Sequence, residues 1–335
     1  MALKIVLDAV GGDFAPAEAV KGAVEAARQH GLQIVLVGPE ATVRAELVKR
    51  DTAGLALEVV DAPEIVGMDE HPVAAVRQKR RSSLAVGLGL VRDGQAQAFV
   101  SAGNSGAVLA ASLFVLGRIE GVDRPAICAI YPTLAGPLLL LDIGANADVR
   151  PQYLQQFALL GSVYMEKALG RTNPRVALLS NGEEDTKGSL VVQEANRLLR
   201  QSGLNFVGNV EGGDLPAGGK ADVVVCDGFV GNVAIKLSEG LSESLFSLIR
   251  DELSRGVVTK LAAAALRPAF RRMKRRLDYE EYGGAPLLGV KGVVIISHGC
   301  SRAKAIRNAL RVAAQAAEQR LVETVAEGLA AVRVE

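Results

Sequence analysis

Tryptophan is absent from this 335-residue chain, aromatic residues make up only 4% of it, and cysteine occurs three times. Cys128, Cys226 and Cys300 lie far apart in apolar or helical surroundings and form no CxxC pair. No disulfide framework is implied, and a reducing cytoplasm is expected. An excess of one charge is also missing: 38 Lys and Arg stand against 37 Asp and Glu. The balance gives no global field for a nucleic acid partner. No apolar run reaches the ~18 residues that a membrane span needs. The start, Met1-Ala-Leu-Lys-Ile-Val-Leu7, enters a strand pattern without the charged, apolar and cleavage regions of a signal peptide. GxGxxG is absent, so the dinucleotide fingerprint is missing. No carboxylate pair completes a metal set, so neither metal nor cofactor is expected.

What the chain has is apolar residues, 49% of the total, enough for a large core. Apolar, β-branched runs recur at Lys4–Asp8, Gln33–Val37, Leu57–Asp61, Ala98–Ser101, Ala126–Tyr131, Leu138–Asp142, Val176–Ser180, Phe206–Val210, Asp222–Cys226 and Val293–Ser297. Helical patterns separate most of them. Strands that read as continuous apolar runs are covered on both faces, which predicts a mainly parallel, doubly wound α/β/α sandwich. We expect one large domain over residues 1–335, with Arg171-Thr-Asn-Pro-Arg175 the weakly marked candidate for a lobe junction. Residues 255–282 differ in composition. They carry Leu261-Ala-Ala-Ala-Ala-Leu266 and then Arg267-Pro-Ala-Phe-Arg-Arg-Met-Lys-Arg-Arg276, which reads as a protruding, basic amphipathic helical piece.

Ligands of open α/β sheets gather beyond the carboxyl ends of strands, and six small polar turns lie there. Val100-Ser-Ala-Gly-Asn-Ser-Gly-Ala107 joins a strand to an apolar helix. Gly103 and Gly106 admit a close ligand, and Asn104, Ser105 and the helix N-terminus favour an anion, against a purely structural turn. Asp8-Ala-Val-Gly-Gly-Asp13 places Asp8, Gly11, Gly12 and Asp13 in a tight turn, with Asp13 a candidate cap of the helix that Pro16 starts. Leu141-Asp-Ile-Gly-Ala-Asn146 offers Asp142 and Asn146, to position a ligand group or to bind a metal. Ser180-Asn-Gly-Glu-Glu-Asp-Thr-Lys187 offers Asn181 and Lys187. A lysine near a helix start is unfavourable unless an anion faces it, although Glu183 to Asp185 offer it a local pairing. Asp222-Val-Val-Val-Cys-Asp-Gly-Phe-Val-Gly-Asn232 crowds Asp227, Gly228, Gly231 and Asn232 at one joint, while Cys226 reads as inert packing. Ile296-Ser-His-Gly-Cys-Ser301 holds His298, an acid–base or phosphate candidate or a local hydrogen-bonder.

Five of these stretches, in order between about Lys4 and Arg311, closely resemble the bacterial phosphate acyltransferases of phospholipid synthesis; Val10, where that family usually has Met, is a hydrophobic swap. The resemblance implies a fold similar to phosphotransacetylases and isocitrate/isopropylmalate dehydrogenases. It implies acyl transfer from acyl-acyl carrier protein to inorganic phosphate, homodimers, and peripheral membrane association. Hydroxyl-acylating enzymes use a His with a carboxylate five positions on, and His30, His71 and His298 have none. Phosphate is already anionic near neutrality and needs no strong base. On this reading Lys187 holds phosphate and the developing charge, Asn232 supports the oxyanion or orients phosphate, Asn104 and Ser105 complete the pocket, and these joints face one another in the sheet. The segment carrying Lys260, Leu261, Leu266, Arg267, Phe270, Arg271, Arg272, Lys274, Arg275 and Arg276 suits an anionic membrane surface or an acidic carrier protein, against a merely solvated helix face. The rivals are a phosphotransacetylase-like enzyme using acyl-CoA, a metal-dependent dehydrogenase of the related fold, and a membrane scaffold.

Overall fold

The computed structural model describes residues 3–277 and 283–332. Its eleven strands are β1 (Lys4–Asp8), β2 (Gln33–Gly38), β3 (Leu57–Asp61), β4 (Ala98–Ser101), β5 (Ala126–Thr133), β6 (Gly136–Leu141), β7 (Val176–Ser180), β8 (Phe206–Glu211), β9 (Val223–Val225), β10 (Ala285–Leu288) and β11 (Val293–Ile296). They form one sheet in the order β3-β2-β1-β4-β11-β10-β5-β6-β9-β7-β8. The sequence pattern marks every strand except β10, a four-residue piece that contains Pro286 and follows Gly283-Gly284.

Alternation along the strands explains the layers. Ile5 and Leu7 enter one buried cluster, with the helices Ala17–His30 and Ala303–Glu318, while Val6 enters the opposite one. Likewise Leu139 and Leu141 face the first cluster and Leu138 and Leu140 a third, so both faces of the sheet are dry. On the first face a Cβ on Gly22 would lie 2.8 Å from the Ala303 carbonyl oxygen and 2.7 Å from Ile306 Cβ, so glycine is what lets these two helices touch.

The sheet is mainly parallel, as expected, but its middle is not. β10 runs antiparallel to β11 and to β5, and β5 runs antiparallel to β6. β6, β9, β7 and β8 are then parallel to one another. Strands β1, β2, β3, β4, β5 and β11 therefore point one way, and β6 to β10 the other.

Two glycine substitutions test this packing. Gly22→Ala should destabilise the protein by about 2–3 kcal/mol, because backbone must move. Gly89, in the helix Ser83–Arg92, has nothing within 4 Å of a built Cβ. Gly89→Ala should stabilise by about 0.5–1 kcal/mol through helix propensity. Equal urea midpoints for the two variants would contradict this account.

Candidate active site

The parallel neighbours β1, β4 and β11 end side by side, and three of the polar turns meet there. Asp8 is 2% exposed. Its Oδ2 accepts the Ser101 hydroxyl at 2.7 Å, and its Oδ1 accepts the Val10 N–H at 3.2 Å. Ser101 Oγ in turn accepts the Gly103 N–H at 3.0 Å. Burial pushes the Asp8 carboxyl above its ordinary value in spite of these donors. Asp8 is therefore the knot between two turns. A Cβ on Gly11 would lie 2.4 Å from that carboxylate and 2.8 Å from Gly103 N, which leaves glycine as the residue that fits.

The third turn closes in from β11. Asp13 N–H donates to the Gly299 carbonyl at 2.9 Å, beside Gly12 with φ +102°. Asp13 does not cap the following helix, contrary to the sequence reading. That helix starts at Ala17, with Pro16 before it and no side-chain cap.

Asn104 caps the helix Ser105–Val115, accepting the Ala107 N–H at 3.1 Å. Its amide donates to the Met68 and Glu70 carbonyls at 3.0 and 3.2 Å. The Asn104 side chain is thus spent on shaping the loop, and the open groups are the first-turn amides of Ser105 and Gly106. His298 is exposed, with Nδ1 3.1 Å from Cys300 Sγ. Arg302 lies 4.1 Å above the Phe14 ring, a cation beside this pocket that the motif reading did not single out as a ligand. Its signal is its place directly after Ser-His-Gly-Cys-Ser301.

A second group gathers where β6, β9 and β7 end. Asp142 is fully buried. Its Oδ1 accepts N–H groups of Ile127, Gly144 and Ala145 at 3.2, 3.1 and 3.0 Å. Its Oδ2 accepts the Asn146 N–H and Nδ2 at 2.7 and 2.9 Å. Five donors leave it organising the loop, and burial holds its carboxyl above the ordinary value. Among the described residues no cluster of His, Cys, Asp and Glu suits a metal.

The long helix Gly228–Leu253 seats its first turn on this loop. Asp227 caps it through the Val230 N–H at 2.8 Å, and Gly228 N–H donates to the Asn146 carbonyl at 2.7 Å. Cβ atoms on Gly228 and Gly231 would fall 2.9 Å from the Asn146 backbone and 1.9 Å from the Asp142 carbonyl oxygen. The Asn232 amide nitrogen then sits over Gly144, 3.0 Å from where a Cβ would be. Cys226 is buried with its thiol pushed up by that burial, which fits inert packing.

Lys187 is exposed, and among the described residues its ammonium forms no ion pair or hydrogen bond. The local acids are engaged elsewhere, Glu183 with Lys220 at 2.5 Å and Asp185 with Arg200. Ser189 caps the helix Leu190–Arg200, and Asn181 Oδ1 accepts the Gly188 N–H at 2.8 Å.

The two groups do not face one another within one chain. The expectation that Lys187 and Asn232 look across at Ser101–Gly106 assumed strands of one direction. The β5–β6 hairpin reverses the direction, so Asp8, Asn104 and His298 stand on one edge of the sheet and Asp142, Lys187 and Asn232 on the other. One element links the edges. The helix Gly228–Leu253 starts at the second edge, and its Ser238 hydroxyl meets the Tyr131 hydroxyl at 2.7 Å near the end of β5. There burial pushes the carboxyl of half-buried Glu239, unmarked by any motif, above its ordinary value, with His298 among the groups that oppose the rise.

The basic piece forms the helix Val257–Leu277, with Pro268 inside it. Lys260, Leu261, Leu266, Arg267, Arg271 and Arg272 are exposed and Phe270 is half-buried, while the side chains of Lys274, Arg275 and Arg276 lie outside the described residues. The preceding helix exposes an apolar face of Val230, Val233, Leu237, Leu241, Leu245 and Leu248. No described helix is long and apolar enough to cross a membrane.

A mainly parallel α/β sheet with glycine-rich polar turns at its strand ends places the chain among the α/β enzymes whose ligand sites lie beyond the strand ends. Within it, the chain belongs to the family described as fatty acid synthesis protein, an acyltransferase family whose model matches residues 3–324. It is 52% identical over 332 residues to a phosphate acyltransferase of Pelotomaculum thermopropionicum, covering 99% of this chain and 96% of the relative. The fold is similar to a phosphotransacetylase of Streptococcus pyogenes, with TM-score 0.65, 19% identity, and 95% and 94% of the two chains covered. It is also similar to a 4-hydroxythreonine-4-phosphate dehydrogenase of Salmonella typhimurium, with TM-score 0.56, 13% identity, and 94% and 99% covered.

Thiol labelling tests the site geometry. Cys300 is exposed while Cys128 and Cys226 are buried. The native protein should release one equivalent from a disulfide reagent quickly and the other two only on unfolding. Cys300→Ser should abolish the fast phase, and fast labelling of Cys226 would break the assignment.

Proposed function

We propose that the protein transfers a fatty acyl group from acyl-acyl carrier protein to inorganic phosphate, forming an acyl phosphate for phospholipid synthesis. The observation that carries this reading is the first edge, where three turns from adjacent strands present backbone amides beside a cation. A phosphate oxygen attacks the thioester carbonyl, a tetrahedral oxyanion forms, and the carrier thiolate leaves. An ordinary thiol has a pKa of ~8.5, so it departs with little acid help. What the reaction needs is a fixed nucleophile and support for the oxyanion. Ser105, Gly106 and Gly12 hold phosphate on this reading, with His298 and Arg302 beside it.

Lys187 and Asn232 keep their proposed roles, holding phosphate charge and supporting the oxyanion, through a second copy of the chain. A homodimer that covers the apolar face of the helix Gly228–Leu253 carries the second edge of one subunit toward the first edge of its partner. Lys187→Ala and Asn232→Ala should each lower kcat/KM for acyl phosphate formation by about 10²-fold or more with the fold intact. Mixing Lys187→Ala chains with Ser105→Glu chains, each inactive alone, should restore turnover. Near-wild-type turnover of either alanine variant would overturn these roles, and mixtures that stay inactive would overturn the shared site. Product analysis with labelled phosphate and either acyl-carrier protein or acyl-CoA separates the carrier reading from the phosphotransacetylase-like one.

The helix Val257–Leu277 is the proposed membrane contact, with exposed Leu261 and Leu266 beside Lys260, Arg267 and Arg271. Co-sedimentation with anionic vesicles should be lost in Leu261→Glu plus Phe270→Glu and weak with neutral vesicles. Unchanged sedimentation of that double variant would refute membrane docking there.

A further inference from the structure

We propose that the surface made by Met68, the helix Pro72–Gln78 and Phe114 is the docking face for the acidic protein that carries the acyl thioester. The proposal rests on the carrier reading above. It begins from continuity with the first-edge pocket. The Asn104 amide holds the Met68 and Glu70 carbonyls. A Cβ on Gly106 would lie 2.8 Å from Pro72 Cγ, and one on Gly299 2.7 Å from Met68 Cε. The rim of the pocket and the start of this surface are one packed unit, so a thioester on a flexible arm has a short path from one to the other.

The surface is apolar and cationic together. Met68 is 44% exposed and Phe114 53%. Val73 and Arg77 stand one turn apart on the same helix face, and the Arg77 guanidinium lies 5.5 Å from the centre of the Phe114 ring. Arg80, two residues past the end of the helix, is also exposed. Neither Arg77 nor Arg80 pairs with a carboxylate among the described residues. The neighbouring cations are already taken, Lys79 by Glu70 at 2.5 Å and Arg81 by Asp61 at 3.7 Å, while Asp69 carries no cation. Unpaired arginines next to an exposed aromatic ring and a methionine match the composition of interface centres. Their charge selects an acidic partner and speeds its encounter. The occupant that fits this chemistry is an acidic face of the carrier protein.

The test compares donors. Arg77→Glu with Arg80→Glu should raise KM for acyl-carrier protein about tenfold or more, with kcat and the rate with acyl-CoA unchanged. Rising salt should raise the wild-type KM for the carrier and leave the variant's almost flat. Binding of the unacylated carrier by calorimetry should weaken in parallel, which decides the matter even where acyl-CoA is a poor donor. Three results overturn the docking face: equal losses with both donors, no change with either, or the same KM rise in Arg267→Glu plus Arg271→Glu in its place. Loss of vesicle binding or a shift to monomer in Arg77→Glu plus Arg80→Glu would also overturn it. Wild-type protein that makes no acyl phosphate from acyl-carrier protein would instead overturn the proposed function, a distinct failure.

Discussion

A two-residue connection cannot join parallel strands. Leu134 and Ala135 are all that separate β5 from β6, and a parallel crossover takes a dozen residues or more. That constraint turns the sheet around in its middle, with β10 fitted antiparallel between β11 and β5. Everything about the site's layout follows from it. Strand-end chemistry is divided between two edges of one sheet, the first built by β1, β4 and β11 and the second by β6, β9 and β7.

Both edges solve the building problem in the same way. Each buries an aspartate at a strand end, Asp8 in β1 or Asp142 directly after β6. Burial raises each carboxyl, and each is supplied with hydroxyl or amide donors from the turns around it. A buried carboxylate without such partners would be costly, so the turns are held to the one arrangement that satisfies it. Glycine then sits where those turns approach backbone most closely, Gly11 against Gly103 on one edge and Gly231 against Asp142 on the other. The polar motifs that look like ligand groups are therefore partly scaffold. Asn104 and Asp142 spend their side chains on the protein, and Asp142 takes up the loop N–H groups around it as well.

The strands were legible in the sequence because buried parallel strands are continuous apolar runs, and ten of eleven declare themselves in that way. Their directions were less legible, although the signal was present: the apolar runs Ala126–Tyr131 and Leu138–Asp142 stand six residues apart around Pro132 and Gly136. That gap excludes a crossover and demands a hairpin. The residues of the motifs were legible too, but their division of labour was not. Whether an asparagine beside a helix start caps it or meets a ligand depends on which carbonyls stand nearby, and Met68 lies 36 residues from Asn104. Glu239 carried no motif signal, and Arg302 only its place after Ser301; the stacking of Arg302 on Phe14 is set by the fold.

The absence of a base dyad becomes intelligible on these terms. A hydroxyl nucleophile must lose a proton as it attacks, so its enzyme needs a base held within hydrogen-bond reach. Inorganic phosphate arrives with its charge in place. The demand moves from proton transfer to holding an anion without neutralising its nucleophilic oxygen. Backbone amides in glycine turns suit that demand, because each contributes a fixed partial charge and none can take the proton or form a full ion pair. A pocket lined mainly by lysine and arginine would bind phosphate more tightly in the ground state and gain nothing at the barrier. If the first edge holds phosphate as proposed, its amides, one histidine and one stacked arginine place it nearer the weaker and more useful limit.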